Sequence, residues 1–304
     1  MTEELRFDGR SAIVTGAGRG LGRAHATLLA ARGARVVVAD HGGAIDGHGT
    51  SATPAQDVAE EICSLGGVAV PAARSVADPD GAEAIVETAI EAFGQIDIVV
   101  NNAGIHDPGA FEELTAAQFE RMLSVHLFGT MLVTRAAWAH FRDAGYGRVV
   151  NTVSEAMLGG IPGLSSYGTA KGAVFGLTRN LATEGSTLGI AVNAIAPRAY
   201  TRMSASSSDD VADKLGISEE DMAAVNASMP PELCAPAVAF LAHESCPLNG
   251  EVLQVGMGGI ARLAVVHTEG IASPALTAEE IAANLDAILD VSRARVTDSV
   301  LMAP

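Results

Sequence analysis

Seven apolar runs of strand length recur along the chain, at residues 11–15, 35–39, 68–71, 96–100, 148–152, 190–195 and 251–255, and most are followed by a helical pattern. Short continuous runs such as Ile96-Asp97-Ile98-Val99-Val100 suit strands buried on both faces, and strands that alternate with helices close most simply into a parallel sheet covered by helices on either side. The expected fold is therefore α/β, a Rossmann-like doubly wound sheet of seven parallel strands. At 304 residues the economical division is one domain over 1–260 and a C-terminal extension over 261–304.

Helix starts are marked where a side chain can cap the free backbone N–H groups. Thr115-x-x-Gln118 opens a long helical pattern towards Ala144, and Thr277-x-x-Glu280 opens a short amphipathic one with Ile281, Leu285, Ile288 and Leu289 on one face. Two connections are long: residues 41–54, and residues 198–230 with Ser204-Ala-Ser-Ser-Ser208. The second leaves a strand end, where open α/β sheets bind their ligands, so it is placed to cover a substrate.

The first strand leads directly into Thr15-Gly16-Ala17-Gly18-Arg19-Gly20-Leu21-Gly22. Glycines permit a tight turn and close backbone approach to a phosphate, and the following helix offers unpaired N–H groups at the positive end of its dipole. Asp40 ends the second strand, where a carboxylate hydrogen-bonds adenosine ribose hydroxyls and repels a 2′-phosphate. NAD is thus favoured over NADP, although Arg19 in the glycine turn is able to serve a phosphate.

Tyr167-Gly-Thr-Ala-Lys171 places a phenol and an ammonium one helical turn apart. A tyrosine ionises near pH ~10, and a neighbouring cation favours the phenolate. Each tenfold change in that ionisation equilibrium corresponds to about 1.36 kcal/mol, so a close ammonium brings the group towards general acid–base use. Ser154 upstream is the candidate to orient a substrate oxygen.

Composition narrows the alternatives. The formal net charge of −17 argues against nonspecific binding to nucleic acid or to an anionic membrane. Cys63, Cys234 and Cys246 lack metal or redox spacing and read as reduced thiols, Cys246 as a buried one. The amino terminus lacks a basic-then-apolar signal, no apolar run reaches membrane-spanning length, and the expected location is cytoplasmic. His41, His48 and His106 sit in polar loops and read as solvated; no metal site is expected. Trp138 and Phe141 recur at helical spacing and read as packing or subunit-contact residues.

With these residues in hand, the chain resembles the short-chain dehydrogenase/reductase family across about residues 8 to 260. The glycine turn, Asn101-Asn102-Ala103-Gly104, Ser154, Tyr167-x-x-x-Lys171 and Asn193-Ala-Ile-Ala-Pro197 occur in the family's order. The resemblance implies that Tyr167 is the acid/base, that Lys171 lowers its pKa and binds nicotinamide-ribose hydroxyls, and that Ser154 polarises the substrate carbonyl. It further implies cofactor contacts from Gly16, Arg19, Gly20, Leu21, Gly22 and Asp40, from Asn102, Ala103 and Gly104 on the adenosine side, and from Pro197 to Thr201 at the carboxamide. Ser75 and Val76 are expected to flank the adenine.

The place of the family's usual catalytic helix asparagine is taken by His126 in Ser-Val-His126-Leu-Phe-Gly, which makes His126 a catalytic candidate, and Arg198 stands where glycine is common. Arg198 is expected to alter the loop geometry or meet an anionic group, or else to face solvent. His126 is shared with a subgroup similar to the dehydrogenase part of peroxisomal (3R)-specific multifunctional β-oxidation enzymes and their bacterial relatives. Asp40-His-Gly-Gly43, Ala196-Pro-x-Ala-x-x-Arg-Met203, His243-Glu-Ser-Cys246, Asn249-Gly250 and Val255-Gly256 carry the same likeness. It implies an NAD-dependent secondary-alcohol dehydrogenase acting on a (3R)-hydroxyacyl thioester, with 17β-hydroxysteroid oxidation and NADPH-dependent 3-oxoacyl reduction as alternatives, and assembly as a homodimer or homotetramer.

Overall fold

The computed structural model describes residues 4–205 and 218–297. Ser206 to Ser208 of the serine run, and the last residues of the C-terminus, lie outside the described residues. β1 (Ser11–Thr15), β2 (Arg35–Ala39), β3 (Val68–Ala72), β4 (Ile98–Asn101), β5 (Gly147–Thr152), β6 (Ile190–Arg198) and β7 (Val252–Gly256) run parallel in the spatial order β3-β2-β1-β4-β5-β6-β7. Each matches an apolar run read from the sequence.

The sheet has eight strands, however, not the seven expected. β8 (Gly259–Leu263) returns antiparallel on β7 through Met257 and Gly258, which take φ of 53° and 76°. Two left-handed residues in a two-residue hairpin match the twist of the flanking strands. β8 is exposed along nearly its whole length and has no apolar run to mark it. It also crosses the expected division at residue 260, so the sheet extends into the segment read as the extension.

Successive strand residues point to opposite faces, and the core divides accordingly. Ala12, Val14, Val36 and Val38 pack with Leu29 of α1 (Gly20–Ala31), Ile62 of α2 (Thr53–Ser64) and Leu241 of the helix Ala235–Ala242. Ile13, Val37 and Val99 pack on the other face with Ile85 of α3 (Pro79–Phe93) and with Val133 and Phe141 of α5 (Gly129–Ala144). Burying a branched or aromatic side chain of this size contributes roughly 1.5–3 kcal/mol, so these two layers dominate the stabilising side of folding. Pro71 lies in β3, the edge strand, where a missing N–H costs least.

The pattern opened by Thr115 is capped as expected. Gln118 N donates to Thr115 Oγ1 at 3.3 Å and Thr115 N to Gln118 Oε1 at 3.0 Å. It is not one uniform helix, because a π-helical turn over Ser124–Phe128 separates α4 (Ala116–Leu123) from α5. The extension pairs Val266–His267 with Arg295–Val296 and is tied to α6 (Ser165–Gly185) by Arg179 Nη2 donating to Thr297 O at 2.7 Å. Its amphipathic helix is broken at Asn284 into Ala278–Ala283 and Leu285–Leu289, and Ile281, Leu285 and Leu289 are exposed. Among the described residues, no helix is long and apolar enough to cross a membrane.

Candidate active site

The spatial order reverses between β1 and β4, and a cavity of about 810 Å³ opens there, over the carboxyl ends of the strands. That is the crevice in which a doubly wound sheet binds its ligand. Its floor is the glycine turn. Gly16 and Gly20 take φ of 62° and 50°, a conformation that a side chain would strain. A Cβ on Gly16 would stand 2.8 Å from Ala103 Cα, whereas one on Gly20 would meet nothing nearer than Thr201 Cγ2 at 3.5 Å. The backbone at Gly20 is thus left open for a ligand. No side chain caps α1 and its first turn holds no acidic residue, so its N-terminal N–H groups are available to an anion. A dinucleotide pyrophosphate fits this donor set.

Gly22 does a different job from the one expected of it. A Cβ there would strike Gly16 O at 2.2 Å, so the glycine lets the helix close on the turn and does not line the cavity. Asn102 also braces the turn: its Nδ2 donates to Thr15 O at 2.9 Å and Gly16 O at 3.2 Å. Asp40 reaches the cavity with both oxygens engaged, Oδ2 accepting from Gly18 N at 2.8 Å and Oδ1 from Gly42 N at 2.6 Å. Arg19 and Arg202 both face this end, and the Arg202 guanidinium lies in the field of Arg19 and Asp40. Leu21, Ser75, Val76, Ala103, Gly104, Pro197 and Thr201 line the remaining wall.

At the other end the structure brings together Ser154, Tyr167 and Lys171. Ser154 caps the 3-10 turn Glu155–Leu158, its Oγ accepting from Ala156 N at 3.2 Å, and its side chain acts on the Tyr167 phenol. Tyr167 and Lys171 share one face of α6. Lys171 is buried, its Nζ donating to Thr152 O at 2.6 Å and standing 5.7 Å from the Tyr167 ring centroid. Desolvation brings the Lys171 ammonium down to about 7. The depressed Tyr167 pKa expected from its lysine is not found in the chain alone: burial raises the phenol, opposed by its hydrogen bond to Ser154. The physical reason is that burial penalises both ions, so the lysine that was to stabilise a phenolate is itself held near neutrality.

His126 is presented by the π turn, a local widening that often marks a functional position. Its Nε2 lies 2.8 Å from Ile105 O and 3.1 Å from Ile105 N, and its ring meets Tyr167 edge to face at 5.3 Å. Burial holds the imidazole well below its usual pKa, with Lys171 acting in the same direction. Gly104 makes room for it, since a Cβ there would lie 2.5 Å from His126 Cε1.

One expectation needs correction. His106 is not solvated: only 7% of it is exposed, it lines the cavity, and its ring meets Tyr167 at 5.8 Å. The signal for this was its place, immediately beyond the carboxyl end of β4. His41 and His48 are exposed. Arg198 meets an anion, but one supplied by the chain, its Nε and Nη2 each donating to Glu155 at 2.7 Å. This pair joins the segment after Ser154 to the segment after Pro197. The loop over 41–54, given no role in the site from sequence, folds across it, with His106 N donating to Ile45 O at 2.8 Å. A Cβ on Gly42 would lie 1.9 Å from Ser51 O, so the fold-back requires glycine there. Phe141 and Cys246 are buried, and Trp138 packs partly buried beside Gly185.

A family model described as short chain dehydrogenase matches residues 10–212. The chain is similar to a short-chain type dehydrogenase/reductase of Mycobacterium tuberculosis, with 41% identity over 289 residues, 94% of this chain and 96% of that protein. It is 40% identical over 298 residues to peroxisomal multifunctional enzyme type 2 of Mus musculus, a match spanning 97% of this chain and 38% of that protein. Among solved structures, a short chain dehydrogenase from Mycobacterium avium superimposes with a TM-score of 0.77 at 36% identity, covering 93% of this chain and 95% of that one.

Proposed function

The chain belongs to the short-chain dehydrogenase family, and from that premise we propose that it is an NAD-dependent (3R)-hydroxyacyl-CoA dehydrogenase. The observation that carries the reading is the single cavity in which the glycine cradle and Asp40 stand at one end and Ser154, Tyr167 and Lys171 at the other. The substrate class is supported by likeness to the peroxisomal multifunctional enzyme and by the motif set around Asp40, His126 and Arg202.

In this reading Ser154 Oγ orients the substrate oxygen and Tyr167 takes the proton from the carbinol. An oxidised nicotinamide, when bound, supplies the hydride acceptor and a positive charge that favours the phenolate. Lys171, buried and anchored on Thr152 O, holds its Nζ at a fixed place near the phenol, available to ribose hydroxyls. His126 fixes the wall behind the Tyr167 ring through the contact of its Nε2 with the Ile105 backbone. The Asp40 carboxylate at the ribose end supports NAD.

A second reading, an NADPH-dependent 3-oxoacyl reductase, is favoured by Arg19 and Arg202, two guanidiniums beside Asp40 that suit a 2′-phosphate. 17β-Hydroxysteroid oxidation is the remaining alternative. The test is reduced-cofactor formation by purified protein with NAD or NADP against (3R)-hydroxyacyl-CoA thioesters, 17β-hydroxysteroids and simple secondary alcohols. We expect turnover of the thioesters with NAD. A preference for NADP by tenfold or more transfers the case to the reductase, and turnover of steroid alone overturns the acyl substrate.

A further inference from the structure

His106 lines the pocket, and the proposed reaction leaves its chemistry unused. It is more than nine-tenths buried, and neither Nδ1 nor Nε2 has a hydrogen-bond partner. Buried polar atoms in native proteins are nearly always paired, and each exception calls for a cause. Its backbone is fixed, because His106 N donates to Ile45 O at 2.8 Å, and its ring stands edge-on to the Tyr167 ring at 85° and 5.8 Å between centroids.

The adjacent carboxylate is not its partner. Asp107 accepts from Arg121 Nη2 and, at 3.2 Å, from Gln118 Nε2. His126 differs, since that imidazole also flanks Tyr167 but is tied through Nε2 to the Ile105 backbone. One imidazole is anchored to the protein, and the other carries two unspent nitrogens on the cavity wall beside the proton-transferring ring. Burial lowers the His106 pKa, against the pull of Asp107, so at neutral pH the ring has one N–H to donate.

We propose that His106 is a substrate-binding residue that donates a hydrogen bond to a second oxygen of the substrate, the acyl carbonyl two carbons from the reacting carbinol. The assignment deepens the hydroxyacyl reading and rests on it. A 3-hydroxyacyl thioester carries its carbonyl oxygen one carbon beyond the neighbour of the carbinol, so a donor that serves it must stand beside the Tyr167 and Ser154 pair without replacing either. His106 stands there. The bond also adds specificity, because a substrate without the second oxygen leaves a buried N–H unpaired, and sites built on such bonds reject the analogue strongly.

The experiment compares kcat/KM for (3R)-3-hydroxyhexanoyl-CoA and for 2-hexanol in the wild type, His106→Leu, His106→Asn and His106→Gln, with the Kd for NADH measured alongside. His106→Leu should lose about 10- to 100-fold on the thioester, the loss of one buried hydrogen bond, with activity on 2-hexanol and the Kd for NADH changed less than about threefold. One of the two amides, each placing a donor where a ring nitrogen stood, should recover most of the loss. If His106→Leu retains the wild-type preference for the thioester, or loses both substrates equally, the assignment is overturned while the hydroxyacyl reading stands. Should the leucine variant fold poorly, an amide variant that folds and yet lacks the preference in both forms overturns it as well. Absence of any thioester preference in the wild type removes the hydroxyacyl reading and this assignment together.

Discussion

At the amino ends of β1, β4 and β5 most polar groups are answered within the chain, the Arg148 Nε being an exception. Asp97, buried, accepts from Ser11 N at 2.8 Å, from Gln95 Nε2 at 2.6 Å and from Arg10 Nη1 at 3.0 Å, and Arg10 reaches Glu244 at 2.8 Å through its other arm. Arg10 and Arg148 also lie over the Tyr146 ring, at 3.8 and 4.4 Å. At the carboxyl ends of the same strands, His106 has two unpartnered nitrogens, His126 has an unpartnered Nδ1, and Lys171 is held to about 7 by burial. Polar groups are largely closed into a network at one end and left with unspent capacity at the other. Unspent capacity costs stability unless a ligand uses it, so the difference separates the end that holds the fold from the end that binds.

Substitutions at the two ends should therefore separate activity from stability. Tyr167→Phe removes the group that carries the proton while leaving the ring in place. We expect turnover to fall about a thousandfold, within the range for loss of general acid–base catalysis. Thermal midpoint and NADH affinity should stay close to wild type, since the ring stays in place in the partly buried site. Retention of a tenth or more of the activity would remove Tyr167 from the mechanism.

Asp97→Ala is the converse. It strands the Ser11 N–H and takes from Arg10 one of its two carboxylates, Glu244 remaining, and an unsatisfied buried hydrogen-bonding group costs about 1–3 kcal/mol. Denaturant unfolding should show that loss, whereas kcat of the folded fraction should be unchanged, because the network lies at the far end of the strands from the cavity. A variant as stable as wild type, or one stable but inactive, breaks the division between the two ends.

What could be read from sequence follows the same division. The seven parallel strands were legible because central strands buried on both faces are apolar throughout, and β8 was not, because an exposed edge strand held by a hairpin has no such run. The glycine turn, Ser154, Tyr167 and Lys171 were legible because spacing along a helix or around a turn fixes which groups meet. His106 was not, since its burial depends on the loop over 41–54 folding back through Gly42 and Ile45, a contact between segments far apart in sequence. The raised Tyr167 pKa was missed for a related reason: pairing with Lys171 is a local property, and the desolvation that opposes it is set by the whole pocket.

His25 tests the comparison from outside both ends. It lies in α1 beneath the glycine turn, fully buried, with both ring nitrogens unpartnered, yet it lines no part of the cavity. No ligand can answer it, so its cost must appear in stability alone. Burial holds its pKa at about 3 against an ordinary 6.5. The native state therefore keeps it neutral between those values while the unfolded chain takes up a proton, and stability, complete above pH 6.5, falls as the pH drops towards 3. At about 1.36 kcal/mol for each pH step of one, the loss by about pH 5 is about 2 kcal/mol. His25→Leu, of similar bulk, should remove that part of the pH dependence and should be neutral or stabilising at about pH 7, because an apolar group replaces two unpaired polar atoms. The readout is the difference in unfolding free energy between about pH 7 and about pH 5 for the two proteins. Parallel losses would mean that His25 finds a partner in the folded chain, and that the contrast between answered and unanswered groups does not extend to the core.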